Sequence, residues 1–130
     1  MNKSNYEHQW PLVGHNSFLV VDFATLATQK VIGLPAGAQV INGWVLVTTP
    51  YDSATTAVLD VGDVALPNRY ANDIDLKTAG RKNLTPTGFL TTAAGAVTAT
   101  FTQTGTPATV GEARVYIEYI AARKSDEIQD

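Results

Sequence analysis

The stretch VGDVALPNRYANDIDL, Val61 to Leu76, gathers oxygen donors. With Asp60 just before it, it holds four of the chain's twelve acidic residues, Asp60, Asp63, Asp73 and Asp75, plus Asn68 and Asn72. Hard oxygen ligands with several carboxylates are what Ca²⁺ requires. The spacing matches no EF-hand loop, because Asp60-Val-Gly-Asp63 has the wrong offsets and no closing Glu follows. Asp and Asn also serve turns, where they bond to their own backbone and tolerate left-handed φ. Gly62, Pro67-Asn68 and Thr78-Ala79-Gly80 each punctuate the segment as a turn would. Structural turns are the expectation, with a loop-borne ion as the alternative.

Catalytic constellations fail on spacing. His8 and His15 sit seven apart in a polar N-terminal segment, without a GxSxG elbow, a cysteine to activate or the HExxH pattern of a zinc helix. Asp73 and Asp75 would share a face of a strand, and neighbours so placed do not flank a glycosidic bond. No glycine loop has the GxGxxG or Walker pattern. The chain is expected to be no enzyme and to use no cofactor and no metal.

Aromatic residues offer a second kind of chemistry. In QVINGWVLVTT, Trp44 is opposite in phase to Val45 and Val47, so it projects from the outer face. Val40 and Leu46 share its parity, which makes that face apolar too. Such a face suits a strand covered by another subunit better than a sugar platform. Tyr116 and Ile120 add to the outward face of the last strand beside Arg114 and Glu118, as a subunit contact with charged edges would.

The elements that position these residues are short and extended. Phe18 to Ala24 reads as a strand buried on both faces, Gln29 to Leu34 as a second, and Gln39 to Thr49 as the strongest. Asn42-Gly43 inside the last is either a type I′ turn or a bulge in one long strand. Ala57 to Val61, Arg69 to Leu76 and Phe89 to Thr92 follow. Ala96 to Thr102 alternates with Val97, Ala99 and Phe101 on one face, and Glu112 to Ala121 with Val115, Ile117 and Tyr119. About eight strands with no long helix predict an all-β antiparallel sandwich, jelly-roll-like in closure. Residues 1–16 read as an extended N-terminal arm with Tyr6, Trp10 and Pro11 as its anchors for neighbour contact. The sandwich then spans 17–122, and 123–130 is a charged tail.

Bulk properties narrow the classes further. At 130 residues the chain is one domain by size. It contains no cysteine, hence no disulfide framework and no thiolate metal site. The net charge is −3, and the nine Lys and Arg are scattered, so no basic stripe for nucleic acid exists. Apolar runs fall far short of a membrane span, and the opening residues lack the apolar region of a signal peptide. Neither nucleic acid nor membrane is an expected partner, and the chain is expected to be made in a host cytoplasm and used without Sec export.

The succession LPAGAQVINGWVLVTTPYDS, LDVGD, NRYANDIDLKTAGR, LTPTGF and AVTATFTQTGTPATVGEARVYIEYIAARKSDEIQ resembles a family of small structural proteins of tailed bacteriophages that decorate or cement the head. The likeness covers Leu34 to Gln129, and its most specific parts are VGD followed by RY and DLKTAGR, and the terminal VYIEY with its charged tail. The resemblance implies a non-enzymatic β-sandwich, often a homotrimer, on the outside of the capsid and bound to the major capsid protein. Trp44, Tyr116 and Ile120 would then lie at a subunit interface. Tail or baseplate components of the same virion, and carbohydrate-binding modules, are the alternative readings.

Overall fold

A computed structural model describes residues 10–121. They form β1 (Leu12–Leu19), the single-turn α1 (Val20–Thr25), β2 (Thr28–Leu34), β3 (Ala38–Thr49), β4 (Thr56–Gly62), β5 (Ala71–Asp75), β6 (Gly80–Asn83), β7 (Gly95–Thr104) and β8 (Glu112–Ala121). Two four-stranded antiparallel sheets result, in the orders β1-β8-β3-β6 and β2-β7-β4-β5. Every connection except β4–β5 crosses from one sheet to the other, which is the jelly-roll arrangement. The all-β, jelly-roll-like sandwich read from the sequence is the fold.

Alternation builds the core. Val115 and Ile117 of β8 and Val45 and Val47 of β3 face inward, meeting Leu59 and Val61 of β4 and Val97 and Ala99 of β7, all at most 2% exposed. At one end a chain of rings closes the sandwich: Phe18 against Phe23 at 5.3 Å, Phe23 on Phe101 at 5.0 Å, and Phe101 against Tyr51 at 5.3 Å. The buried Tyr51 hydroxyl donates to the Phe18 carbonyl at 2.9 Å, and burial first, then the nearby Asp22 and Glu112 charges, push its pKa up. Gly111 is required beside it, since a Cβ there would lie 2.5 Å from the Tyr51 ring.

Four local expectations are corrected. Residues 12–16, assigned to the arm, belong to β1, which pairs with β8 from Leu12↔Tyr119 to Leu19↔Glu112. Its HNS centre conceals the strand, because an edge strand takes its order from the partner rather than from its own apolar residues. Phe18 to Ala24 is not one strand: Phe18 ends β1 and the rest turns into α1. Asp22 accepts from the Leu19 N–H at 2.7 Å, and the Gln29 side-chain amide donates to the Asp22 and Leu26 carbonyls. These bonds override the β preference of Val-Val. Phe89 to Thr92 makes only an isolated bridge, Gln39↔Leu90. Finally, Val40 does not share the outer face with Trp44. A bulge between Val40 and Asn42 adds one residue, turning Val40 into the core at 1% exposure and leaving Ile41 outside. Asn42-Gly43 is therefore part of a bulged strand and not a hairpin turn.

Candidate functional site

The outer face of the β1-β8-β3-β6 sheet carries an aromatic ladder. The register puts His15, Tyr116, Trp44 and Asn83 in one cross-strand row, and Ser17, Arg114, Leu46 and Arg81 in the next. His15 and Tyr116 have ring centroids 5.5 Å apart, and Tyr116 stacks on Trp44 at 5.0 Å. From the β6 side, the Arg81 guanidinium lies 4.3 Å from the indole centroid while its Nε donates to Asn83 at 2.9 Å. Because β8 and β6 flank β3, Tyr116 and Arg81 approach the indole from opposite sides. Arg114 is exposed, and its side-chain hydrogen bond with Tyr116 is the first cause favouring its charged form. Neither arginine is ion-paired, the one salt bridge among the described residues being Arg69–Asp63.

The structure brings together Trp44 and Tyr116, and puts Ile120, opposite Gln39, farther along the same strand pair. Trp10 and Pro11 lie exposed just before β1, Trp10 at 79%. Tyr6 is outside the described residues. Sequence reading missed Arg81, because the four polar residues GRKN give β6 no apolar alternation, and set His15 aside as an arm residue.

The oxygen-rich stretch is used for turns. Asp60 Oδ1 accepts from the Asp73 N–H at 2.7 Å, fixing Asp73 at φ 55°. Asp63 accepts from the Leu66 N–H at 2.7 Å and from Arg69 Nε at 2.6 Å. Asp75 accepts from the Lys77 N–H at 2.9 Å, and this bond is the first cause holding its pKa below the usual carboxylate value. Gly62 permits the turn itself, since a Cβ there would come within 2.3 Å of the Leu66 carbonyl oxygen. Each carboxylate thus fastens a different piece of backbone.

A cavity of about 200 Å³ opens at the end of the sandwich made by the β2–β3, β4–β5 and β6–β7 connections. Leu34, Val64, Arg69, Tyr70, Phe89 and Ala96 contribute to its wall. Arg69 is held by Asp63 and lies flat over Phe89, 3.5 Å from the ring centroid. Val64, Leu66 and Leu90 stand exposed around this end. At the opposite end, Asp52 fastens β3–β4 to β7–β8. It accepts from the N–H groups of Thr109 and Val110 at 2.6 and 3.1 Å and from the Thr109 hydroxyl at 2.9 Å. The Thr109 N–H bond is the first cause lowering its pKa.

No protein-family model and no curated protein matches the chain. Two solved structures are similar to it. One is a chain of the cyanophage Pam1 capsid asymmetric unit, 25% identical, with a TM-score of 0.65 over 84% of this chain and 83% of that one. The other is a chain of the acidic stable capsid structure of Helicobacter pylori bacteriophage KHP30, with a TM-score of 0.68 over 87% and 89%. At 15% identity this second likeness is one of fold.

Proposed function

We propose that this chain is a non-enzymatic structural protein of a tailed-bacteriophage virion, a homotrimeric decoration or cement protein bound to the outer surface of the major capsid protein lattice. The observation that carries the reading is the likeness to a chain of the Pam1 capsid, which runs nearly end to end in both chains rather than over a shared motif. The mechanism is mass action: a protein that binds the assembled lattice stabilises it by its binding free energy, and symmetry repeats each weak contact many times. Trp44, Tyr116 and Ile120 serve contact between copies, and Tyr6, Trp10 and Pro11 reach a neighbour.

A carbohydrate-binding module would need an aromatic face free for a sugar ring. The Trp44 indole instead has Tyr116 on one side and Arg81 on the other. Shells prepared without this chain test the proposal. Added protein should sediment with them and raise the temperature at which they rupture, whereas protein left in the supernatant at saturating concentration contradicts a decoration role.

A further inference from the structure

Trp10 is 79% exposed although Trp is among the residues with most to gain from burial. It sits at the start of β1, and that start lies at the cavity-bearing end: the first row of β1, Leu12–Tyr119–Val40, lies next to the β2–β3 turn, where Gly37 and Ala38 bond to Thr91. One end of the molecule therefore presents both a bare indole and an apolar hole. The hole suits a ring. Its volume of about 200 Å³ exceeds the roughly 150 Å³ at which an apolar cavity accepts benzene. Its wall offers Arg69, whose guanidinium plane is immobilised by Asp63 and Phe89, and indole is the best aromatic partner for such a cation. The wall from Phe89 to Ala96 belongs to a stretch, Asn83 to Gly111, with no charged residue at all. Depletion of charge at the centre is what protein interfaces show.

We infer that Trp10 of one copy inserts into the Arg69–Phe89 cavity of a second copy, and that this knob and hole join the copies head to tail. The knob and the hole are different surfaces, so the contact is heterologous and closes as a ring. The inference rests on the homotrimer reading above and names the contact that builds it.

The test is solution mass by light scattering on the full chain. Trp10→Ala removes the knob from an exposed site and should leave the circular dichroism spectrum unchanged while the mass falls to that of one chain. Ala93→Trp fills the hole and should do the same, with Thr92→Trp as a second plug if the first variant unfolds. A mixture of Trp10→Ala and Ala93→Trp holds one good knob and one good hole, so it should give dimers and nothing larger. A monomeric wild type overturns the homotrimer reading. An oligomeric wild type whose mass Trp10→Ala leaves unchanged overturns the knob-and-hole contact alone.

Discussion

On the outer face of the β1-β8-β3-β6 sheet, His15, Tyr116 and Trp44 lie ring beside ring with Arg81 closing the row. On the outer face of the other sheet, the corresponding rows read Thr28–Thr100–Asp60 and Thr102–Val58–Asp75. Thr28 and Thr100 share a hydrogen bond at 3.1 Å, and Thr56 and Thr104 another at 2.6 Å. Both faces obey the same alternation, and both cover a core of Val, Leu and Ala. The difference is in what each offers a partner. Large rings and arginines supply contact area and are enriched at binding surfaces, whereas short hydroxyls satisfy one another and leave little to bury. Asp60 is further occupied, because it holds the Asp73 N–H. The contact work of the molecule therefore falls to the aromatic face and to the apolar end beside it.

The sharpest way to break this contrast is to push the sheets apart from inside. A Cβ at Gly43 would lie 2.6 Å from the Tyr116 carbonyl oxygen and 2.7 Å from Leu84, so β3 and β8 must separate beneath the ladder. Gly43→Ala is expected to lower stability by about 2–3 kcal/mol in urea unfolding and to weaken sedimentation with shells. Gly62→Ala, strained against Leu66 and Pro67 at the β4–β5 turn, should cost as much stability without weakening attachment per folded molecule.

A side-chain comparison comes next. Trp44→Ala removes the stacking on Tyr116 and the seat of Arg81; for a half-buried ring a loss of about 2 kcal/mol is expected. Thr100→Val on the other face keeps the shape and loses one exposed hydroxyl pair, so its cost should stay below about 1 kcal/mol with attachment unchanged. Equal effects from the two would erase the distinction between the faces.

The smallest effect concerns pH. The hydrogen bonds to Asp52 depress its folded-state pKa, so its contribution is present above the unfolded value of about 3.9 and is lost as pH falls through the folded value. Asp52→Asn should flatten the acid limb of stability measured between pH 5 and pH 2, on the order of the window set by that shift, and leave neutral behaviour of both faces alone.

How much of this was legible depended on whether a strand carries its own apolar pattern. β8 reads its full length from EARVYIEYIA, and β7 from AVTATFT, because their inward residues are Val, Ile, Ala and Phe. β1 and β6 are polar edge strands whose order comes from β8 and β3, a tertiary fact that LVGHNSFL and GRKN do not encode locally. The Val40 bulge reversed the parity of its half of β3, and no periodicity argument locates such an insertion in advance. Trp44 and Tyr116 were found as outward aromatics, yet their stacking on each other needed the β3–β8 register. The cavity at the far end depends on three connections meeting, so only Trp10 and Phe89 were visible beforehand, as unconnected residues.

The central claim is that this chain coats a phage shell. Quantitative peptide mass spectrometry on density-purified particles from the source, comparing this chain with the major shell protein, tests it most directly. A molar ratio near one to one is the expected result. A ratio of a few per cent would move the chain to the tail or neck, and its absence from particles would contradict a virion role altogether.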